Sequence, residues 1–115
     1  MPIQLNTKEF YWIKKALDAA RDSISRGWYQ SALLELRKPA KRLAEQPLPN
    51  RLQALVLLTQ AQAYRGLNST TKELKSLKAT QEIFTGIEDS DSNESIACSD
   101  RIREIETILT SQKRL

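Results

Sequence analysis

The 115-residue sequence contains no histidine, a single cysteine, three glycines and four prolines. Without histidine the chain lacks the usual general base near neutral pH, the usual pH switch and the commonest transition-metal ligand. Its one cysteine, Cys98, can form no internal disulfide, and with no imidazole it can join neither a Cys/His zinc cage nor a Cys–His nucleophilic pair. The three glycines are isolated, so no glycine-rich phosphate loop exists. Carboxylates such as Glu104 and Glu106 stand in a surface-like context with no apolar setting suited to acid–base work. These absences argue against an enzyme, and no metal or cofactor is expected. No run of about 18 apolar residues occurs, and the start, MPIQLNTKEF, has neither a basic n-region nor an apolar h-region. The expectation is a cytoplasmic protein without membrane association.

What is present is an ordinary globular balance, with 40% apolar and 28% charged residues in a length that suits one domain and one core. The net charge of +4 is unevenly placed. Residues 1–82 carry 14 basic and 7 acidic side chains, whereas residues 83–115 carry 4 basic and 7 acidic. A basic body with an acidic end favours an anionic partner for the body, against the plainer reading that the charges only solvate helix surfaces.

Apolar residues at Phe10, Ile13, Leu17, Ala20 and Ile24 alternate at intervals of three and four, which predicts a helix over 8–25 with Thr7 as N-cap and Gly27 as its left-handed stop. Ala32, Leu33, Leu36, Ala40 and Leu43 predict a second helix over 29–45, in which Pro39 predicts a kink or break near Leu36 to Lys38. Pro47 and Pro49 stop it, and Asn50 can cap the next. A third helix over 51–66 is apolar on more than one face, as a centrally packed helix would be. A fourth over 70–85 ends at Gly86, and a fifth over 95–113 follows an acidic, Ser-rich loop at 86–94. No segment alternates with period two, so the expected class is all-α, about five helices in one domain.

The first and third helices superpose at an offset of 41 residues, as do the second and fourth: Ala20 falls on Ala61, Gly27 on Asn68 and Leu36 on Leu77. The run Gly27-Trp28-Tyr29-Gln30-Ser31-Ala32-Leu33 resembles the turn and second-helix start of tetratricopeptide (TPR) repeats, and Leu58, Ala61, Tyr64 and Leu67 resemble the series of a TPR first helix. Glycine there supplies the turn, the aromatic staples two helices and the small alanine lets them approach. The resemblance covers about residues 10–86. It departs from the family at Asn68, at Glu73 where a small residue is expected, and at Pro39. It implies a stack of antiparallel helix pairs closed by a C-terminal capping helix.

The resemblance also implies a concave groove that binds peptides, lined by the first helix of each unit. By alignment the groove residues are Lys14, Leu17, Arg21 and Ile24, then Leu55, Leu58, Gln62 and Arg65. Lys14, Arg21 and Arg65 would make a positive strip suited to an acidic peptide or helix. The competing reading pairs them with Asp18 and Asp22 along one helix. Phe10-Tyr11-Trp12 is wider than one face can bury, so Tyr11 and Trp12 are candidate interface aromatics while Phe10 is expected in the core. Arg37, Lys38, Lys41 and Arg42, with Lys72, Lys75 and Lys78, could contact phosphates, but no nucleic-acid motif accompanies them. Asp89, Asp91, Asn93 and Asp100 follow the oxygen spacing of a calcium loop, with Glu94 where the sharp turn needs glycine, so a flexible acidic loop is preferred. Cys98 reads as a buried thiol. The expected function is a non-enzymatic adaptor, chaperone or assembly module for a protein partner. The alternatives are a nucleic-acid-associated subunit and a self-associating structural protein.

Overall fold

A computed structural model describes residues 5–113, the side chain of Lys113 excepted. Five helices and no strand make up the described residues: α1 (Thr7–Ser25), α2 (Tyr29–Ala44), α3 (Arg51–Gly66), α4 (Thr70–Gly86) and α5 (Asn93–Lys113). None is long and apolar enough to cross a membrane.

Capping chemistry sets the starts. Asn6, not Thr7, is the N-cap of α1. Its side-chain oxygen accepts from the Glu9 amide at 2.8 Å while the Glu9 carboxylate accepts from the Asn6 amide at 3.3 Å, a reciprocal capping box. Asn50 caps α3 as expected, accepting from the Gln53 amide at 2.8 Å. α5 begins two residues before its apolar spacing suggests. The Ser92 hydroxyl accepts from the Ser95 amide at 3.2 Å and its carbonyl from the Ile96 amide at 3.0 Å, so the irregular acidic segment shortens to 87–92.

The ends of α1, α3 and α4 share one geometry. Gly27, Asn68 and Glu88 take positive φ of 78°, 58° and 58°. The next amide in each case donates back five residues, Trp28 to Ser23 at 2.8 Å, Ser69 to Tyr64 at 2.9 Å and Asp89 to Phe84 at 2.8 Å. Gly86 was the expected stop of α4, yet it remains helical and Glu88 adopts the left-handed turn. α2 passes through Pro39 without the expected break, and the proline ring is buried. Burial of that ring offsets the amide hydrogen bond that proline cannot donate.

The 41-residue spacing reappears as burial. Ile13 and Ala54, Ala20 and Ala61, Leu36 and Leu77, Pro39 and Thr80, and Leu43 and Phe84 are buried pairs at that offset. α3 packs on α1 as well as on its chain neighbours α2 and α4, and α5 packs on α4. One core joins α1, α2 and α3 through Ile13, Leu17, Leu36, Leu43, Val56 and Ala63. A second joins Ala61 of α3 and Leu77 of α4 to Cys98, Ile102 and Ile105 of α5. Where α3 meets α2, Gly66 lies against Tyr29 so closely that a Cβ would overlap the phenol ring. Glu73, which departs from the small-residue pattern, is 2% exposed and receives two hydrogen bonds from Arg101 of α5, at 2.7 and 3.0 Å. This pair fastens α5 across α4. The structure is thus an all-α stack in which each helix packs on its neighbour, an architecture compatible with a helical repeat.

Candidate functional site

The residues expected to line a groove divide into two groups. Lys14 and Arg21 on α1 and Gln62 and Arg65 on α3 are exposed, and among the described residues none of the three cations takes part in an ion pair. The apolar members offer little free surface. Leu17 is 3% exposed and belongs to the first core, and Leu58 is half-buried against the second core. Ile24 and Leu55 are likewise packed against the first core. The strip that remains is polar, because the apolar side of each first helix is consumed by its neighbours.

The intrahelical pairs that would neutralise this strip are also largely absent. Asp22 pairs with Arg26 at 3.1 Å, four residues ahead, and not with Arg21. The neighbour of Arg21 is instead an acid from the far end of the chain. Glu94, in the first turn of α5, is held below the ordinary carboxylate value of 4.5 by its own backbone amide, by the Arg51 guanidinium and, through charge alone, by Arg21. Arg51 opens α3, binds Glu94 at 3.0 Å and Asp89 through its other terminal nitrogen, and lies 5.9 Å from the centre of the Phe84 ring. The aromatic face restrains the guanidinium. Arg51 of α3 therefore holds Asp89 of the α4–α5 connection and Glu94 of the first turn of α5, and the Glu94 charge also reaches Arg21 of α1.

Arg51 is the residue that sequence reasoning missed. Its partner Asp89 is 38 residues away, and no local pattern joins them. The indirect signal was the acidic segment itself, which in a basic chain requires cations somewhere.

The calcium spacing is not realised as a site. Asn93 and Asp100 lie on the same continuous helix, about 10 Å apart along its axis, and Asp89 is committed to Arg51. Among the described residues no group of three or more Asp, Glu, Cys or His converges as metal ligands would.

Of the aromatics, Tyr11 is 61% and Trp12 42% exposed, with Lys15 over the Tyr11 ring at 4.9 Å. Phe10, expected in the core, is 47% exposed. It lines a depression with Leu5, Pro47, Leu48 and Pro49, and Lys14 lies over its ring at 5.7 Å. The proline turn after α2 leaves no helix to cover it. Two further clefts follow the α4–α5 seam, bounded by Lys75, Lys78, Gln81, Arg103 and Glu106, and none of Lys14, Arg21, Gln62 or Arg65 lines them. Arg37, Lys38 and Lys41 on α2 and Lys72, Lys75 and Lys78 on α4 are exposed, whereas Arg42 turns to α1 and pairs with Glu9, donating from its second terminal nitrogen at 3.2 Å.

Comparison of the chain with protein-family models, with curated proteins and with solved structures gives no match.

Proposed function

We propose that the protein is a non-enzymatic interaction module of TPR-like repeat type, an adaptor or assembly factor that binds an acidic peptide or helix along the exposed polar faces of α1 and α3. The observation that supports this reading is that α3 already holds carboxylates of this chain: Asp89 and Glu94 rest on Arg51. Among the described residues Lys14, Arg21 and Arg65 have no ion-pair partner, which leaves them for the carboxylates of another chain. With Leu17 buried and Leu58 half-buried, recognition is mainly electrostatic, so binding is fast, salt-sensitive and modest in affinity.

A dye-labelled Glu-rich peptide, titrated at low salt and followed by fluorescence anisotropy, tests the assignment. Arg21→Glu with Arg65→Glu is expected to weaken binding about tenfold or more. Lys72→Glu with Lys75→Glu, on the outer surface of α4, should leave it nearly unchanged. Equal losses for both double variants would reduce the effect to net charge, and the assigned face would be wrong.

A further inference from the structure

Apart from Phe10 and Leu48 around the depression at the α2–α3 turn, the exposed large apolar side chains of the described residues lie at the two ends of the stack. Tyr11 and Trp12 of α1, Trp28 in the α1–α2 turn and Leu34 of α2 are at one end, and Ile96 and Ile108 of α5 are at the other. α3 and α4 expose none. The ends also differ in charge. On the first pair, Lys15, Lys38 and Lys41 are exposed and, among the described residues, outside any ion pair; Asp18 and Asp22 of α1 are exposed beside them, Asp22 paired with Arg26. The three lysines share with Tyr11 and Leu34 the helix sides opposite the buried Ile13, Leu17, Ala32 and Leu36.

On α5, Ile96, Asp100, Glu104 and Ile108 recur every four residues. They form one exposed ridge, with two carboxylates between two isoleucines, on the side away from Cys98, Ile102 and Ile105. Among the described residues Asp100 has only the exposed Arg103 of its own helix as partner, at 3.8 Å, whereas Glu104 accepts at 2.9 Å from Arg101, whose guanidinium is about one-fifth exposed and is held chiefly by Glu73. An exposed pair such as Asp100 with Arg103 contributes little and exchanges readily.

We propose that this acidic ridge is a docking surface for a second copy of the same chain, whose α1–α2 outer face receives it, so that the protein associates head to tail. Both ends carry exposed apolar groups, and on balance the α1–α2 side is basic while the α5 ridge is acidic, which disfavours a two-fold contact of one end with itself. A head-to-tail contact is heterologous. It uses a different surface on each partner and leaves one of each free, so association continues into an open series or a ring. The molecule, 51 × 32 × 24 Å in extent, is already elongated. The contact uses none of Lys14, Arg21, Gln62 or Arg65, so it stands or falls separately from peptide binding.

Sedimentation velocity of the full chain, from micromolar to millimolar concentration at low and high salt, reads the effect. The expected result is a mean mass that rises with concentration beyond the dimer and collapses towards monomer in high salt. Two charge-reversed chains locate the surfaces: Lys15→Glu with Lys38→Glu at the head, and Asp100→Lys with Glu104→Lys at the tail. All four positions are exposed, and thermal melts by circular dichroism verify that each variant folds. Each variant alone should remain monomeric, whereas an equimolar mixture should associate again, because each supplies the surface that the other has lost. Constant monomer mass for the wild-type chain overturns the proposal. So does a mass that saturates at the dimer and persists in the head variant, since that outcome identifies a contact between like surfaces.

Discussion

Cys98 shows how little of a residue's chemistry follows from its type. Its side chain is 1% exposed, its thiol donates to the Leu77 carbonyl at 3.2 Å, and burial pushes its pKa up to about 11. A thiolate is the reactive form, so iodoacetamide at mildly alkaline pH should label native protein far more slowly than urea-unfolded protein. Fast labelling of the native chain would mean that α5 detaches readily from α4. Spacing from Ile102 and Ile105 anticipated this burial, because one helical face is defined within a few residues. The same reasoning failed for Phe10, whose place on the apolar stripe of α1 is real but is left open at the edge of the stack. Periodicity identifies the side of a helix; it does not say how far the neighbouring helix extends.

Between helices, the decisive contact is Glu73 with Arg101. The carboxylate is almost fully buried, and the guanidinium, about one-fifth exposed, bridges it to Glu104 at 2.9 Å. Glu73→Ala would leave a largely buried cation with one exposed partner, a loss of about 2–3 kcal/mol. The melting midpoint should fall by roughly 10–15 °C in a domain of this size. Glu73→Leu combined with Arg101→Met should recover most of that loss, because neither desolvated charge remains. If Glu73→Ala melts with wild type, the pair does not fasten α5. The five helices themselves were legible from apolar spacing, and Gly27 and Asn50 from their own residue types. The starts of α1 and α5 were displaced because Asn6 and Ser92 make the capping bonds, a choice set by hydrogen-bond geometry that spacing cannot rank. Glu73 stood out in the sequence as a misfit to the repeat. Its explanation lies 28 residues further on.

For the molecule as a whole, the uneven charge is used internally. The acidic end pairs back onto the basic body through Asp89 and Glu94 with Arg51 and through Glu106 with Lys78, at 4.0 Å in the last case. Glu9 is also held below its ordinary value of 4.5, by the Arg42 guanidinium first and the Asn6 amide second. Both Glu9 and Glu94 therefore stay ionised in the folded chain at pH values where the unfolded chain takes up protons. Their contribution is complete above about pH 4.5 and is lost as pH falls through the folded values, so stability should decline in acid. Urea midpoints measured from neutral pH downward check this, with Glu9→Gln and Glu94→Gln expected to flatten the decline. An unchanged slope in the double variant would assign the acid sensitivity to other carboxylates. By itself the sequence determined the all-α class, the five helices and the 41-residue spacing, because each depends on residues within a few turns of one another. Only the tertiary structure decided that Leu17 is buried in the core and Leu58 half-buried against it, that Arg51 holds the acidic turn, and that Glu73 belongs to Arg101. Those outcomes depend on which helix faces meet, and burial and ion pairing across 28 to 38 residues are properties of the packed stack and not of any helix alone.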